Sequence, residues 1–328
     1  MNSVDTIEVE DLHVTFAGGL QAAAGISLKL AVGETLGLVG ESGSGKTTLA
    51  KALVGLNRPS SGRVLLDGRD LTALTRADRL WLRRRVQMIF QDPLSSLSPR
   101  FTVRRLLGEP IAIHGLDRNE RWPKVLDLMQ RLGLAEAQLA KYPHQISGGQ
   151  ARRVAIARAL VAEPSFLIAD EPTAGLDLSV QGELLNLLAD LQARFSLGIL
   201  LVSHNLNVIG RVTTRVAIMY LGKIVEEGPT RAVFKSPRHP YTHALLSANP
   251  VIDPEHKRAK LVLAGEIPSP SRPPAGCRFH TRCPRVQDRC RVEEPPLASA
   301  GDGRRFACHF PLDAGTFPPV TNVPQGAV

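Results

Sequence analysis

Gly40-Glu-Ser-Gly-Ser-Gly45-Lys46-Thr47-Thr48 has the make-up of a loop that holds phosphate. Glycines let successive backbone N–H groups turn inward around phosphate oxygens, and a following helix adds its positive end. In that reading Gly40, Ser42, Gly43, Ser44, Gly45 and Thr48 form the cradle. Lys46 reaches the β- and γ-phosphates, and the Thr47 hydroxyl ligates Mg²⁺. A second station is Phe166-Leu-Ile-Ala-Asp170-Glu171. Its four apolar residues make a short buried strand that delivers Asp170 to the Mg²⁺ water shell. Glu171 then stands where it can orient or deprotonate an attacking water. The third is Ile146-Ser147-Gly148-Gly149-Gln150, directly before a helix beginning near Ala151. Ser-Gly-Gly at a helix start is a second anion site, with an ordinary Ser-capped helix as the plain alternative.

The elements that hold these stations read as alternating strands and helices. Ile7, Val9, Leu12, Val14 and Phe16 interleave with polar residues, Gly18-Gly19 breaks the run, and Ile26-Ser-Leu-Lys-Leu30 resumes it. Thr35-Leu-Gly-Leu-Val39 is a buried strand that feeds the glycine loop, and Thr47 to Leu56 is the helix after it. From Leu80 to about Pro164 the pattern is helical. Trp122 to Leu134 puts Val125, Leu128, Met129 and Leu132 on one face, and Arg152 to Glu163 is stopped by Pro164. Short buried strands return at 166–169 and 199–202, separated by a helix over Val180 to Phe195. Strands alternating with helices predict an α/β fold with a mostly parallel sheet, interrupted by an inserted helical subdomain.

At 328 residues, 43% hydrophobic and 22% charged, the chain suits one large domain with an appendage, or two domains. No apolar run approaches the ~18 residues of a membrane-spanning helix. The opening MNSVDTIEVEDL lacks the apolar core of a secretory signal, so a cytoplasmic location is expected. The net charge is +9, and Arg79, Arg83, Arg84, Arg85, Arg100, Arg104 and Arg105 crowd one region. No nucleic-acid-binding motif accompanies them, so nucleic acid is not expected as a partner.

Beyond about residue 248, prolines at 250, 254, 268, 270, 273, 274, 284, 295 and 296 leave little room for long helices. This tail is expected to be irregular and to wrap around something. It holds all four cysteines, Cys277, Cys283, Cys290 and Cys308, separated by five, six and seventeen residues. In a cytosolic chain such clustering favours a metal site over a disulfide. Four thiolates suit a 4Fe–4S cluster or tetrahedral zinc.

The glycine loop, the Ser-Gly-Gly-Gln segment and the apolar strand ending in Asp-Glu, in that order, resemble the ABC ATPases. The other stations of that family are filled as well. Gln91 matches the Q-loop glutamine, Ala174-Gly-Leu-Asp177 the D-loop, His204 the switch histidine, and Phe16 the aromatic that stacks on adenine. The resemblance implies a RecA-like P-loop NTPase core with an inserted α-helical subdomain and an irregular C-terminal extension. ATP and Mg²⁺ are the implied ligands, with Glu171 and His204 catalytic and Thr47, Gln91 and Asp170 around the metal. Two such domains sandwich two ATP molecules, so Ser147, Gly148, Gly149 and Gln150 act on the partner's nucleotide. A coupling helix of the membrane subunit sits near Gln91 and receives the motion. Ile146 stands where Leu is common, Ala174-Gly175 where Ser-Ala is common, and Asn205 where Asp is usual. These departures touch only fine tuning, because Asp177 and His204 are present.

Three segments are similar to the dipeptide, oligopeptide and nickel import group. They are Gln91-Asp-Pro-Leu-Ser-Ser-Leu-Ser-Pro-Arg100, Ser236-Pro-Arg-His-Pro-Tyr-Thr-His-Ala-Leu-Leu246, and Gly265-Glu-Ile-Pro-Ser-Pro with the Cys277-Arg-Phe-His-Thr-Arg-Cys283 run behind it. The resemblance covers nearly the whole chain. It implies an ABC ATPase domain over 1–248, with a signature subdomain at about 92–163, and an extension over 249–328. The implied role is to power import of di- or oligopeptides, with nickel or another small solute as the alternative. The implied partners are two membrane permease subunits, a second ABC ATPase subunit and, indirectly, an extracytoplasmic solute-binding protein. The chain is then peripheral, on the cytoplasmic face of the inner membrane. A non-transport ABC ATPase is the more distant rival, since those usually carry two cassettes or long coiled-coil insertions. For the cysteines the resemblance favours the iron–sulfur cluster over zinc or free thiols together. Lying outside the ATP-binding motifs, they are expected to serve structure alone, so that losing one spares the phosphate loop.

Overall fold

The computed structural model describes residues 5–72, 74–92, 94–248, 263 and 265–313; Pro93 and the prolines at 250 and 254 lie outside the described residues. The chain opens with β1 (Thr6–Phe16) and β2 (Leu20–Ala31), paired antiparallel from Thr6 opposite Ala31 to Phe16 opposite Leu20. Ile7, Val9, Leu12 and Val14 are buried and the residues between them are not, the period of a half-buried strand. β3 (Thr35–Val39) is instead buried at every residue, and helix α1 (Lys46–Leu53) follows it. β4 (Ser61–Leu66) and β5 (Arg69–Asp70) complete a four-stranded sheet in the order β2-β1-β4-β5.

Next come α2 (Arg76–Arg85), β6 (Val86–Ile89), α3 (Val103–Ile113), α4 (Arg118–Arg131) and α5 (Gly148–Leu160). They are followed by β7 (Phe166–Asp170), α6 (Leu178–Phe195), β8 (Gly198–Ser203), α7 (Leu206–Val212), β9 (Arg215–Tyr220), β10 (Lys223–Pro229), α8 (Thr230–Lys235) and α9 (Pro240–Ala248). The C-terminal part adds α10 (Asp288–Val292), β11 (Ala298–Ser299) and β12 (Arg305–Phe306).

The second sheet runs β11-β12-β10-β9-β3-β8-β7-β6, and its five strands from β9 to β6 are parallel. The expected mostly parallel α/β sheet is therefore present. Its central strands are apolar throughout because both faces are covered. Ile168, Leu200 and Val202 point into a core shared with the first sheet and α1; Leu167, Ala169, Ile199 and Leu201 point into a core shared with α3 to α6.

Several boundaries differ from the sequence reading, each for a local reason. α4 begins at Arg118, not Trp122, because the Asp117 carboxylate accepts from the amides of Asn119 and Glu120. α5 begins at Gly148, not Arg152, because Ser147 caps it. β6 lies inside the stretch read as helical from Leu80. It follows α2 directly, with no turn residue to mark the change of period.

The proline-rich tail is irregular over much of its described length, but it does more than wrap. β12 pairs with β10 and β11 with β12, so the tail extends the central sheet at its edge. Part of the arginine-rich region is committed to internal contacts: Arg85 pairs with Asp5 and Asp67, and Arg104 lies over Trp122. Among the described residues no helix is long and apolar enough to cross a membrane.

Candidate nucleotide site

β3 ends at Val39 and α1 begins at Lys46, which leaves 40–45 as the turn between them. Two glycines there are obligatory. A Cβ on Gly40 would stand 2.1 Å from the Met219 carbonyl oxygen, and one on Gly45 would stand 1.9 Å from that of Ala22. Gly45 also has a φ of 102°, in the left-handed region. As N-cap it offers no side chain, so nothing competes with an anion for the first amides of α1. Lys46 is buried, and its Nζ donates to the carbonyls of Gly40 at 2.8 Å and Glu41 at 2.9 Å. Burial pushes its pKa down, while the carboxylates of Glu171, Asp170 and Glu41 pull it back.

Asp170 closes β7, and its buried carboxylate accepts from the Thr47 hydroxyl at 3.2 Å. Burial raises its pKa, against the lowering effect of that hydrogen bond. A desolvated carboxylate beside a hydroxyl fits Mg²⁺, a hard cation that takes oxygen ligands and keeps several waters. Glu171 follows with a φ of 46°, uncommon for a residue with a side chain. Its N–H donates to the Val202 carbonyl at 3.0 Å, which fixes the turn out of the strand. One carboxylate oxygen of Glu171 lies 3.2 Å from His204 Nδ1, and the other accepts from Gln91 Nε2 at 3.5 Å. Segments after β6, β7 and β8 thus bring Gln91, Glu171 and His204 together. Gln91 reaches Glu171; among the described residues no hydrogen bond joins it to Thr47 or Asp170. Phe16 ends β1 and is 45% exposed.

The Ser147 segment stands apart. Gln150 N–H donates to Ser147 Oγ at 3.2 Å, and Ser147 N–H donates to Gln150 Oε1 at 3.1 Å, a reciprocal cap. Ser147, Gly148 and Gly149 are exposed, with open space where either glycine would carry a Cβ. Among the described residues no hydrogen bond or ion pair joins 147–150 to the phosphate loop, Asp170, Glu171 or His204. Asp177 caps α6 by accepting from the Val180 amide at 2.9 Å, and Leu178 beside it is 79% exposed. Asn205 caps α7 through the amides of Asn207 and Val208, a task its amide oxygen performs as a carboxylate would.

Residues 23–174 match the family described as ABC transporter, and residues 225–290 match the one described as oligopeptide/dipeptide transporter, C-terminal region. A probable peptide ABC transporter ATP-binding protein of Sinorhizobium fredii is 48% identical over 292 residues, covering 88% of this chain and 82% of its own. The chain belongs to the ABC transporter ATP-binding proteins. Another relative of this ABC ATPase is the di/tripeptide transport ATP-binding protein DppF of Pseudomonas aeruginosa, 46% identical over 90% of this chain and 92% of the relative. In structure the ABC ATPase is similar to CbiO1 from Clostridium perfringens, with a TM-score of 0.65 at 32% identity over 71% of this chain and 91% of that one. A dimeric ATP-binding cassette bound to ADP and phosphate gives a TM-score of 0.62 at 28% identity, over 69% and 99% of the two chains. The fold is the α/β P-loop NTPase fold of these cassettes, and the protein is an ATPase of the ABC type.

The four cysteines line one small cavity, with none in a disulfide. The Cys277 amide donates to the Cys290 carbonyl at 2.9 Å. Burial pushes the Cys277 thiol up to about 11 and the Cys308 thiol up to about 12. Among the described residues no group of three or more His, Cys, Asp or Glu side chains is placed to hold a metal ion.

The sequence reading missed two contacts with the phosphate loop, one from the tail and one from α9. Arg282 grips the Glu41 carboxylate, and the Tyr241 hydroxyl accepts the Glu41 N–H at 3.0 Å. These partners are 241 and 200 positions from Glu41, so no local pattern announces them. The run around Arg282 was visible as a motif; its target was not.

Proposed function

We propose that this ABC ATPase powers an importer of di- or oligopeptides, with nickel or another small solute as the alternative cargo. The match of residues 225–290 to the oligopeptide/dipeptide transporter C-terminal family carries the reading, and relatives named for peptide transport support it. Two permease subunits, a second ATPase chain and an extracytoplasmic binding protein complete the importer. This chain is then peripheral, on the cytoplasmic face of the inner membrane. Deleting it in its native host should abolish uptake of a labelled di- or tripeptide and leave nickel uptake intact. The reverse pattern overturns the peptide reading.

In this reading residues 1–248 are the ATPase domain, about 92–163 its signature subdomain, and 249–328 the extension. ATP lies in the cradle of Gly40 to Thr48 with Phe16 against its adenine. Lys46 exchanges two carbonyl oxygens for phosphate oxygens. Thr47, Asp170 and Gln91 hold Mg²⁺, which when bound neutralises phosphate charge. Glu171 activates the attacking water, and His204 fixes the Glu171 carboxylate. Ser147 to Gln150 close on the partner's ATP, and Asp177 borders the same interface.

For the four cysteines the proposal is a 4Fe–4S cluster, with zinc as the alternative. What supports the reading is that the four thiols line one cavity, and four thiolates are the ligand set of such a cluster or of tetrahedral zinc. When bound, such a group cross-links a segment that has no core of its own. Protein purified without oxygen should carry about four irons per chain, and Cys283→Ser should lose them. One zinc per chain overturns the cluster, and absence of both metals overturns the site.

A further inference from the structure

The phosphate loop carries a carboxylate of its own. Glu41 follows Gly40 directly, in a loop whose task is to hold a polyanion, and an unpaired charge there repels the ligand. The structure pairs it from outside the ATPase motifs. Arg282 donates from both terminal nitrogens to both oxygens of Glu41, at 2.7 and 3.1 Å. Its side chain is only 7% exposed and rests over the Tyr220 ring, 5.9 Å from the centroid. A two-point fork of this kind fixes orientation as well as charge.

Glu41 is held at two further points. Its N–H donates to the Tyr241 hydroxyl at 3.0 Å, and its carbonyl accepts from Lys46 Nζ at 2.9 Å. Tyr241 is itself pinned, because its amide donates to His239 Nδ1, and the buried Glu226 carboxylate accepts from the amides of Arg238 and His239. Arg282 sits in the turn between Cys277 and Cys283, its amide bonded to the Phe279 carbonyl at 3.0 Å. From the same turn Arg278 reaches the Leu221 carbonyl and the Gln21 side chain. Those neighbours back the loop as well: Gly222 N–H donates to the Ser44 carbonyl at 2.9 Å.

We propose that Arg282 is a positioning residue of the ATP site: by fixing and neutralising Glu41, the cysteine-bearing turn sets how tightly the phosphate loop holds nucleotide. The proposal rests on reading residues 40–48 as that site. Titrating the purified full-length chain with a fluorescent ATP analogue tests both. Lys46→Ala serves as the control, and nucleotide-free melting shows that each variant is folded. Arg282→Ala is expected to bind about tenfold more weakly, since it leaves a half-buried carboxylate unpaired beside the phosphates. Glu41→Gln is expected to bind about twofold tighter, because Arg282 keeps one of its two hydrogen bonds, to the amide oxygen, and its charge now faces the phosphates uncompensated. The double variant should recover most of the lost affinity. In the assembled transporter Arg282→Ala should raise KM for ATP far more than it lowers kcat. Should Arg282→Ala fail to fold, Arg282→Lys keeps the charge without the fork and is expected to weaken binding about threefold. Wild-type affinity in the folded Arg282 variant overturns the proposal. So does equal weakening by Arg282→Ala and Glu41→Gln with no recovery in the double variant, which would make the pair a fold contact only. Normal binding by Lys46→Ala overturns the site reading, and the proposal with it.

Discussion

Glu171→Gln is expected to cut ATP turnover of the assembled transporter by at least about a hundredfold while ATP still binds. The exchange keeps size and shape. An amide in place of the carboxylate can still meet His204 Nδ1 at 3.2 Å and Gln91 Nε2 at 3.5 Å, so the three segments stay assembled. What disappears is the negative charge proposed to orient or deprotonate water. The cradle, Lys46 and the Thr47–Asp170 pair lie on other residues, so affinity for ATP is retained. In the proposed two-ATP sandwich, whose halves part on hydrolysis, the variant should accumulate as an ATP-bound closed pair. Phosphate release, together with size-exclusion analysis in ATP, checks both statements. Turnover close to wild type would remove Glu171 from the water-activating role.

How much of this site the sequence revealed depends on the distance over which each feature is determined. The glycine turn between β3 and α1 was legible because its residues are contiguous in the sequence, although the carbonyls that require Gly40 and Gly45, those of Met219 and Ala22, are distant in it. β7 and β8 were legible because strands covered on both faces are apolar without interruption. β6 was not, since it begins at the residue after α2 ends and shows only four residues of its own. α5 starts at Gly148 because Ser147 caps it in the isolated chain, the plain alternative that the sequence left open beside an anion site. Least legible was the tail's grip on the loop. Arg282 meets Glu41 through tertiary folding alone, and neither residue type nor spacing encodes that meeting. Among the described residues of the tail the elements are short, as the prolines there suggest, but the prolines carried no sign that β12 would add to β10.

Ser147→Arg is expected to suppress ATP turnover by about a hundredfold or more, the scale on which a lost transition-state donor acts, while the isolated chain binds ATP as before. The reasoning starts from exposure. Ser147 and the two glycines after it face open space, and no hydrogen bond ties them to the phosphate loop of their own chain. An exposed helix start with two uncrowded glycines is built to receive an anion from outside, and the proposed donor of that anion is the partner's bound ATP. Arginine fills the space through which the phosphates approach and removes the hydroxyl. It also removes the cap on α5, a loss of about 1 kcal/mol, small beside the ~5–15 kcal/mol that holds a domain folded. Ser147→Asp separates the two effects. Aspartate caps as well as serine, so the melting temperature should hold, yet its carboxylate would oppose the partner's phosphates and turnover should still collapse. Turnover retained in Ser147→Asp would reduce the segment to a helix cap. Equal loss of ATP binding by the folded, isolated Ser147→Arg chain would place Ser147 in its own chain's site instead of the partner's.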